Sequence, residues 1–91
     1  MARVRFKTYV LVGKRLHKRN VTLNAANAKE ALSQACETFG DDFEREVMVD
    51  GRLSEELVLA LNGRTLDRDS LHSAALNDGD ELFLFVPLGG G

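Results

Sequence analysis

Glu81-Leu82-Phe83-Leu84-Phe85-Val86-Pro87-Leu88-Gly89-Gly90-Gly91 is the stretch around which the other 80 residues are organised. Side chains alternate across a strand, so Leu82, Leu84 and Val86 share one face and Phe83 and Phe85 the other. Both faces are apolar. One enters the core, and the other meets a helix, a second sheet or a partner. Pro87 lacks a backbone N–H and ends ladder pairing. Beyond it, Leu88 to Gly91 carries little side chain and reads as a flexible glycine tail, 88–91, on a folded body, 1–87. Fully extended, those four residues reach about 13 Å. Glycine passes where no Cβ fits, so the tail suits a narrow channel, with the terminal carboxylate as cargo.

A carboxylate is a poor electrophile, ionised well below pH 7 (α-carboxyl pKa about 3.5). Its transfer requires prior activation, typically as an acyl-adenylate. The chain has no ATP site of its own. Gly13-Lys14 is followed by Arg15, and position 8 is Thr, so there is no P-loop pattern. Activation is expected from another protein.

Working back from the tail, Asp78-Gly79 turns the chain into the last strand, and Leu57 to Leu61 is an apolar strand closed by the tight-turn pair Asn62-Gly63. Arg64 to Leu66 returns. Asp67 to Asn77 is a capped loop anchored by Leu71 and Leu76. Asp41 to Glu56 reads as an irregular, charged connection, with Phe43 and Val47 able to form one short helical turn and Asp50-Gly51 as a turn. Asn27 with Glu30 forms an N-cap and capping-box pair. Ala28, Ala31, Leu32, Ala35, Cys36 and Phe39 follow at helical spacing, and Gly40 stops the helix. At the N-terminus, Val4, Phe6, Thr8 and Val10 alternate with Arg3, Arg5, Lys7 and Tyr9. His17 to Leu23 alternates again, more weakly, giving a hairpin through Gly13. Its basic residues read as a solvated, edge-protecting face, with a docking face for an acidic partner as the functional alternative.

The order is strand, strand, helix, strand, short strand, strand: an α+β domain. One domain is all that 91 residues, one proline and no linker support. A 44% apolar, 29% charged chain of net charge −2 fits neither disorder nor general nucleic-acid binding. No apolar run has transmembrane length, and Arg3, Arg5 and Lys7 interrupt any signal sequence. A single cysteine fits a reducing cytoplasm. Cys36 lies on the helix's apolar stripe and reads as core. His17 and His72 read as surface residues, and no metal-ligand spacing occurs. No acid–base carboxylate pair or nucleophile elbow is visible, so the chain is not expected to be an enzyme.

Three segments carry a family resemblance: Leu61-Asn62-Gly63-Arg64, Leu76-Asn77-Asp78-Gly79-Asp80-Glu81 and Phe85-Val86-Pro87-Leu88-Gly89-Gly90-Gly91. Together they resemble the MoaD/ThiS ubiquitin-like sulfur carriers over the second half of the chain, and the acidic-Gly turn at Asp50-Gly51 favours the MoaD side. The resemblance implies a β-grasp fold, a mixed sheet of four to five strands crossed by one main helix, with the last strand parallel to the first at the centre. It implies that a ubiquitin-activating-type enzyme uses ATP to adenylate Gly91, with no cofactor bound here. Sulfide then yields a Gly91 thiocarboxylate for a client, the larger subunit of a molybdopterin synthase. Phe83, Phe85, Pro87 and Leu88 are implied docking residues, and Gly89 and Gly90 the slim passage. The same activated Gly91 suits a protein modifier joined to target lysines, as in small archaeal modifier proteins. A plain β-grasp interaction module is the third reading.

Overall fold

The computed structural model describes residues 1–87. Its central element is β1, Ala2–Val12, whose burial alternates along its length. Val4, Phe6, Thr8 and Val10 are buried, whereas Arg3, Arg5 and Leu11 are exposed. The strand therefore has one core face and one outer face.

The chain turns at Gly13 into β2, Arg15–His17, and β3, Asn20–Ala25, both antiparallel to β1. The single return strand expected over His17 to Leu23 is thus divided. The reason is Thr8. Its Oγ1 accepts from the Arg19 N–H at 3.0 Å and lies 2.8 Å from His17 Nδ1. The side chain of β1 takes a partner that a regular ladder would leave to backbone. Thr8 is 2% exposed, so an unpaired hydroxyl there would be costly.

Helix α1, Ala28–Phe39, starts at Asn27, whose side chain accepts from the Glu30 N–H at 2.9 Å. The Glu30 carboxylate reaches back to the Ala26 N–H, one residue earlier than a capping box requires. Ala28, Ala31, Leu32, Ala35 and Cys36 are its buried face. Gly40 ends α1 at φ 100° and leads directly into α2, Asp41–Val47. A two-turn helix thus stands where one short helical turn within an irregular connection was expected. Asp41, Asp42 and Glu44 suit its N-terminal turn, while Phe43 and Val47, four apart, are 1% and 0% exposed. Strands β4, Met48–Val49, and β5, Arg52–Leu53, then pair across Asp50-Gly51, both at positive φ as a type I′ turn needs.

Strand β6, Val58–Leu61, turns through Asn62-Gly63 into β7, Arg64–Thr65. A 3-10 segment, η1, Arg68–Ser73, follows, capped by the Asp67 side chain on the Asp69 N–H and anchored by Leu71. Strand β8, Glu81–Phe85, lies between β1 and β6, parallel to the first and antiparallel to the second. The order across the sheet is β2-β1-β8-β6-β7, with β3 on the same side of β1 as β2. This is the β-grasp arrangement the resemblance implied. The division of the return strand brings the main sheet to six strands.

Leu82 and Leu84 are fully buried with Phe6, Val4 and Leu59 beneath α1 and α2. At about 1.5–3 kcal/mol for each such side chain, β8 is a principal stabilising element of the fold.

Candidate functional site

The outer face of β8 is built differently. Phe83 and Phe85 stack with ring centroids 4.9 Å apart at 28° and remain partly exposed. The 41–56 segment does not cover them, because α2 buries Phe43 and Val47 in the core on the other face. Lys7 Nζ lies 5.5 Å from the Phe83 ring centroid and 3.7 Å from Glu81 Oε1. A cation over the ring face and an exposed ion pair orient the edge of this patch at modest energy. The strand register adds Tyr9 beside Phe85 on one side and Val58 on the other, with Ala60 beside Phe83. Leu11 and Leu16, cross-strand partners at the end of the first hairpin, continue the same face at 52% and 49% exposure. Neither Val58 nor this leucine pair stood out in the sequence. The available signal was the odd-numbered alternation of β1 carried past Tyr9.

The Val86 N–H donates to Tyr9 O at 3.0 Å, and Pro87, exposed, is the last described residue. Because β8 runs parallel to β1, the chain leaves the sheet at the end where the β1–β2 hairpin turns. Leu88, Gly89, Gly90 and Gly91, and with them the 88–91 tail, lie outside the described residues.

The two upstream segments singled out in the sequence meet in space. Asn62 Nδ2 donates to Asp80 Oδ1 at 2.9 Å, and the Glu81 N–H donates to Asn62 Oδ1 at 2.9 Å. Asp80 also accepts from the Asn77 N–H, and Asp78 from the Arg3 N–H, each at 2.8 Å. These donors, first the Asn77 amide and then Asn62, hold the Asp80 carboxyl below its ordinary range. The network fixes where β8 starts and hence its register on β1. Its role is architectural.

His17 is not a surface residue. It is half-buried, edge-on to Phe39 at 4.7 Å and tilted on Phe43 at 4.9 Å, so Phe39 and Phe43 close around it. Burial, with help from Arg19, lowers its pKa. Cys36 is buried, and that burial, with the Glu44 charge, pushes its thiol up to about 11. It is a core residue and not a thiolate nucleophile at neutral pH. His72 is exposed as expected.

A cleft of about 480 Å³ opens on the helix side, floored by Leu32, Cys36, Met48, Leu53 and Leu71. Its arginines are engaged: Arg52 pairs with Asp69, and Arg68 donates to Leu53 O and Glu55 O. Among the described residues no group of three metal-ligating side chains occurs, and no helix is long and apolar enough to cross a membrane.

The sequence model of the ThiS family matches residues 12–91. The chain belongs to the ThiS family. As a member it is a small ubiquitin-like protein. Among solved structures it is similar to small archaeal modifier protein 1 from Haloferax volcanii, with a TM-score of 0.77 and 24% identity over 99% of this chain and 100% of that one. A second crystal structure of the Haloferax volcanii protein gives 0.74 and 24% over 97% and 100%. Small archaeal modifier protein 1 from Methanosarcina acetivorans gives 0.71 and 18% over 100% and 98%. At these identities the likeness establishes the fold. No curated protein matches the chain.

Proposed function

We propose that this ThiS-family chain is a ubiquitin-like modifier whose Gly91 carboxylate is adenylated by a ubiquitin-activating-type partner and joined to lysines of target proteins. The carboxylate attacks the α-phosphorus of ATP and pyrophosphate leaves. A lysine amine then attacks the acyl carbon, AMP leaves, and an isopeptide bond remains. The full-length likeness to proteins named as modifiers, across 99% of this chain and 100% of theirs, is the observation that carries this reading. The folded body supplies two things to the chemistry. Strand β8 anchors the exit at Pro87, and the aromatic pair Phe83 and Phe85 offers a partly exposed apolar surface beside it. Buried aromatics dominate many protein interfaces, so this pair is the proposed docking anchor, with Pro87 and Leu88 leading to the slender Gly89 and Gly90.

The ThiS match over residues 12–91 favours a second use of the same activated end. Sulfide in place of the amine would yield a Gly91 thiocarboxylate for a client such as the larger subunit of a synthase. The two uses diverge only at the nucleophile.

The test uses an N-terminally tagged chain in its native cells, with lysates denatured and reduced before analysis. A ladder of heavier species that disappears when Gly90 and Gly91 are deleted establishes the modifier. No ladder, with a free chain whose intact mass shows a terminal thiocarboxylate, establishes the carrier. A free chain with an ordinary carboxylate in every condition overturns both and leaves an interaction module.

A further inference from the structure

Strand β3 is the long open edge of the main sheet. The other outer strands, β2 and β7, are three and two residues long, and each carries an arginine. β3 runs for six residues, Asn20-Val21-Thr22-Leu23-Asn24-Ala25, without a charge or a proline, the usual devices that protect an edge. Hydrogen-bond directions show which of its backbone groups are free. The Gly79 N–H donates to Arg3 O at 2.9 Å and the Arg5 N–H to Asp80 O at 3.0 Å, so those residues of β1 bond toward β8 and its lead-in. Val4 and Phe6 therefore bond toward β3, where Leu23 and Val21 stand opposite them. By the same alternation, Asn20, Thr22 and Asn24 direct their N–H and C=O groups away from the sheet. Asn24 O accepts from Gln34 Nε2 at 2.6 Å, and the next outward N–H, of Ala26, donates to the Glu30 carboxylate at 3.3 Å. Among the described residues, the outward backbone groups of Asn20 and Thr22 meet no partner.

The open stretch is also symmetric. Asn20-Val21-Thr22-Leu23-Asn24 reads polar, apolar, threonine, apolar, polar in both directions. Laid antiparallel on a second copy about Thr22, Thr22 meets its own counterpart, Asn20 meets Asn24, and Val21 meets Leu23. The Thr22 pair and the Asn20 and Asn24 pairs then exchange both N–H and C=O groups, with the second lone pair of Asn24 O serving the new donor. The exposed Asn20, Thr22 and Asn24 side chains bring no like charges together, and half-buried Val21 gains an apolar neighbour. The charges at the two ends agree with this pairing. Lys18 and Arg19 precede β3, and Glu30 stands at its far end beside Ala26. Antiparallel pairing sets the cationic end of each copy against the carboxylate end of the other.

We infer that β3 is a self-association edge: two copies pair β3 to β3 across a two-fold axis at Thr22 and join their sheets into one. A two-fold contact of this kind is closed, so assembly stops at the dimer. One short strand pair buries less than the ~1,200 Å² of a standard interface, so the dissociation constant is on the order of 0.1 mM. The pairing does not depend on the chemistry proposed for Gly91. β3 lies on the opposite side of β1 from β8, so Phe83, Phe85 and the exit at Pro87 stay open. The dimer therefore carries two C-terminal ends.

The test is sedimentation equilibrium of the full chain at low salt, from about 10 µM to about 1 mM. The wild-type chain is expected to pass from monomer to dimer and no further. Thr22→Lys and Thr22→Glu, at an exposed position, are each expected to weaken dimerisation roughly tenfold or more, because like charges meet at the axis. An equimolar mixture of the two is expected to restore it, since they are complementary only where position 22 faces itself. Thr22→Pro removes an outward N–H without touching the ladder to β1 and is expected to abolish the dimer. Circular dichroism and urea midpoints identify any variant that fails to fold. If Thr22→Pro does, the two charged variants decide alone. A wild-type chain that stays monomeric to the top of the range overturns the inference. So does a dimer that the Thr22 variants retain, which would place the contact on another face. A dimer lost in both charged variants and not restored by mixing them overturns it as well.

Discussion

Leu82 and Leu84 point one way from β8, and Phe83 and Phe85 the other. The two pairs are equally apolar and come from one five-residue strand. Their fates differ. The leucines are 0% exposed under two helices, while the phenylalanines stack on each other and, among the described residues, meet a lysine over the Phe83 ring. The first pair is explained by the fold, whereas the second is left over by it. An apolar face that the described elements leave uncovered is where a partner is expected.

The contrast can be tested from its strongest side. Leu84→Ala should cost about 2–5 kcal/mol, because a buried site among Phe6 and Leu59 collapses poorly. Chemical denaturation reads this directly, and a loss under about 1 kcal/mol would mean that the inner face is not packed as described. Asn62→Ala comes next, at about 1–2 kcal/mol. It removes the side-chain partner of the Glu81 N–H and places alanine at φ 50°, where a Cβ is strained. Amide exchange should rise first at the start of β8. Asn27→Ala should cost about 1 kcal/mol by uncapping α1. Phe85→Ala sharpens the comparison most. Its stability cost should be about 1 kcal/mol or less, yet adenylation of the chain should weaken at least as much as with any inner-face change that still folds. An inner-face variant that folds and loses more activity than Phe85→Ala would erase the distinction between the faces.

The smallest effect is in pH. His17 has a lowered pKa in the fold, so the unfolded chain takes up its proton first as pH falls. The contribution of neutral His17 is complete above about pH 7 and declines as pH drops through the ordinary histidine value near 6.5. Asp80 has a lowered carboxyl pKa, so its contribution is complete above the ordinary carboxylate value of about 4 and is lost as pH falls toward the folded value. Urea midpoints should therefore show a shallow decline near pH 6 and a second one in acid. His17→Gln should abolish the first and leave the second.

Much of this was readable from residues. The capping asparagine, the apolar stripe of α1, the turns at Asp50-Gly51 and Asn62-Gly63, and the two-faced last strand each have a local cause that needs no third dimension. His17 reads as a surface residue in sequence because its neighbours there are basic, while its neighbours in space are Phe39 and Phe43. The 41–56 segment reads as an irregular connection around one short turn because its helix is only seven residues long and densely charged; Phe43 and Val47, four apart, are the signal the sequence does show. Leu11 and Val58 stood on the exposed face without notice, since alternation alone does not say which strands lie side by side.

The sequence by itself determined the main helix, the first and last strands, the apolarity of both faces of β8, the turn chemistry and the family resemblance of the second half, because those follow from backbone preference, side-chain period and motif spacing. Only the tertiary structure decided which face stays open, that Asn62 and Asp80 meet, that Thr8 divides the return strand, and that the chain leaves the sheet beside Leu11 and Leu16. Those facts depend on which strand pairs with which and in what direction. Pairing is settled by burial across the whole sheet, a sum over distant residues that no local stretch contains.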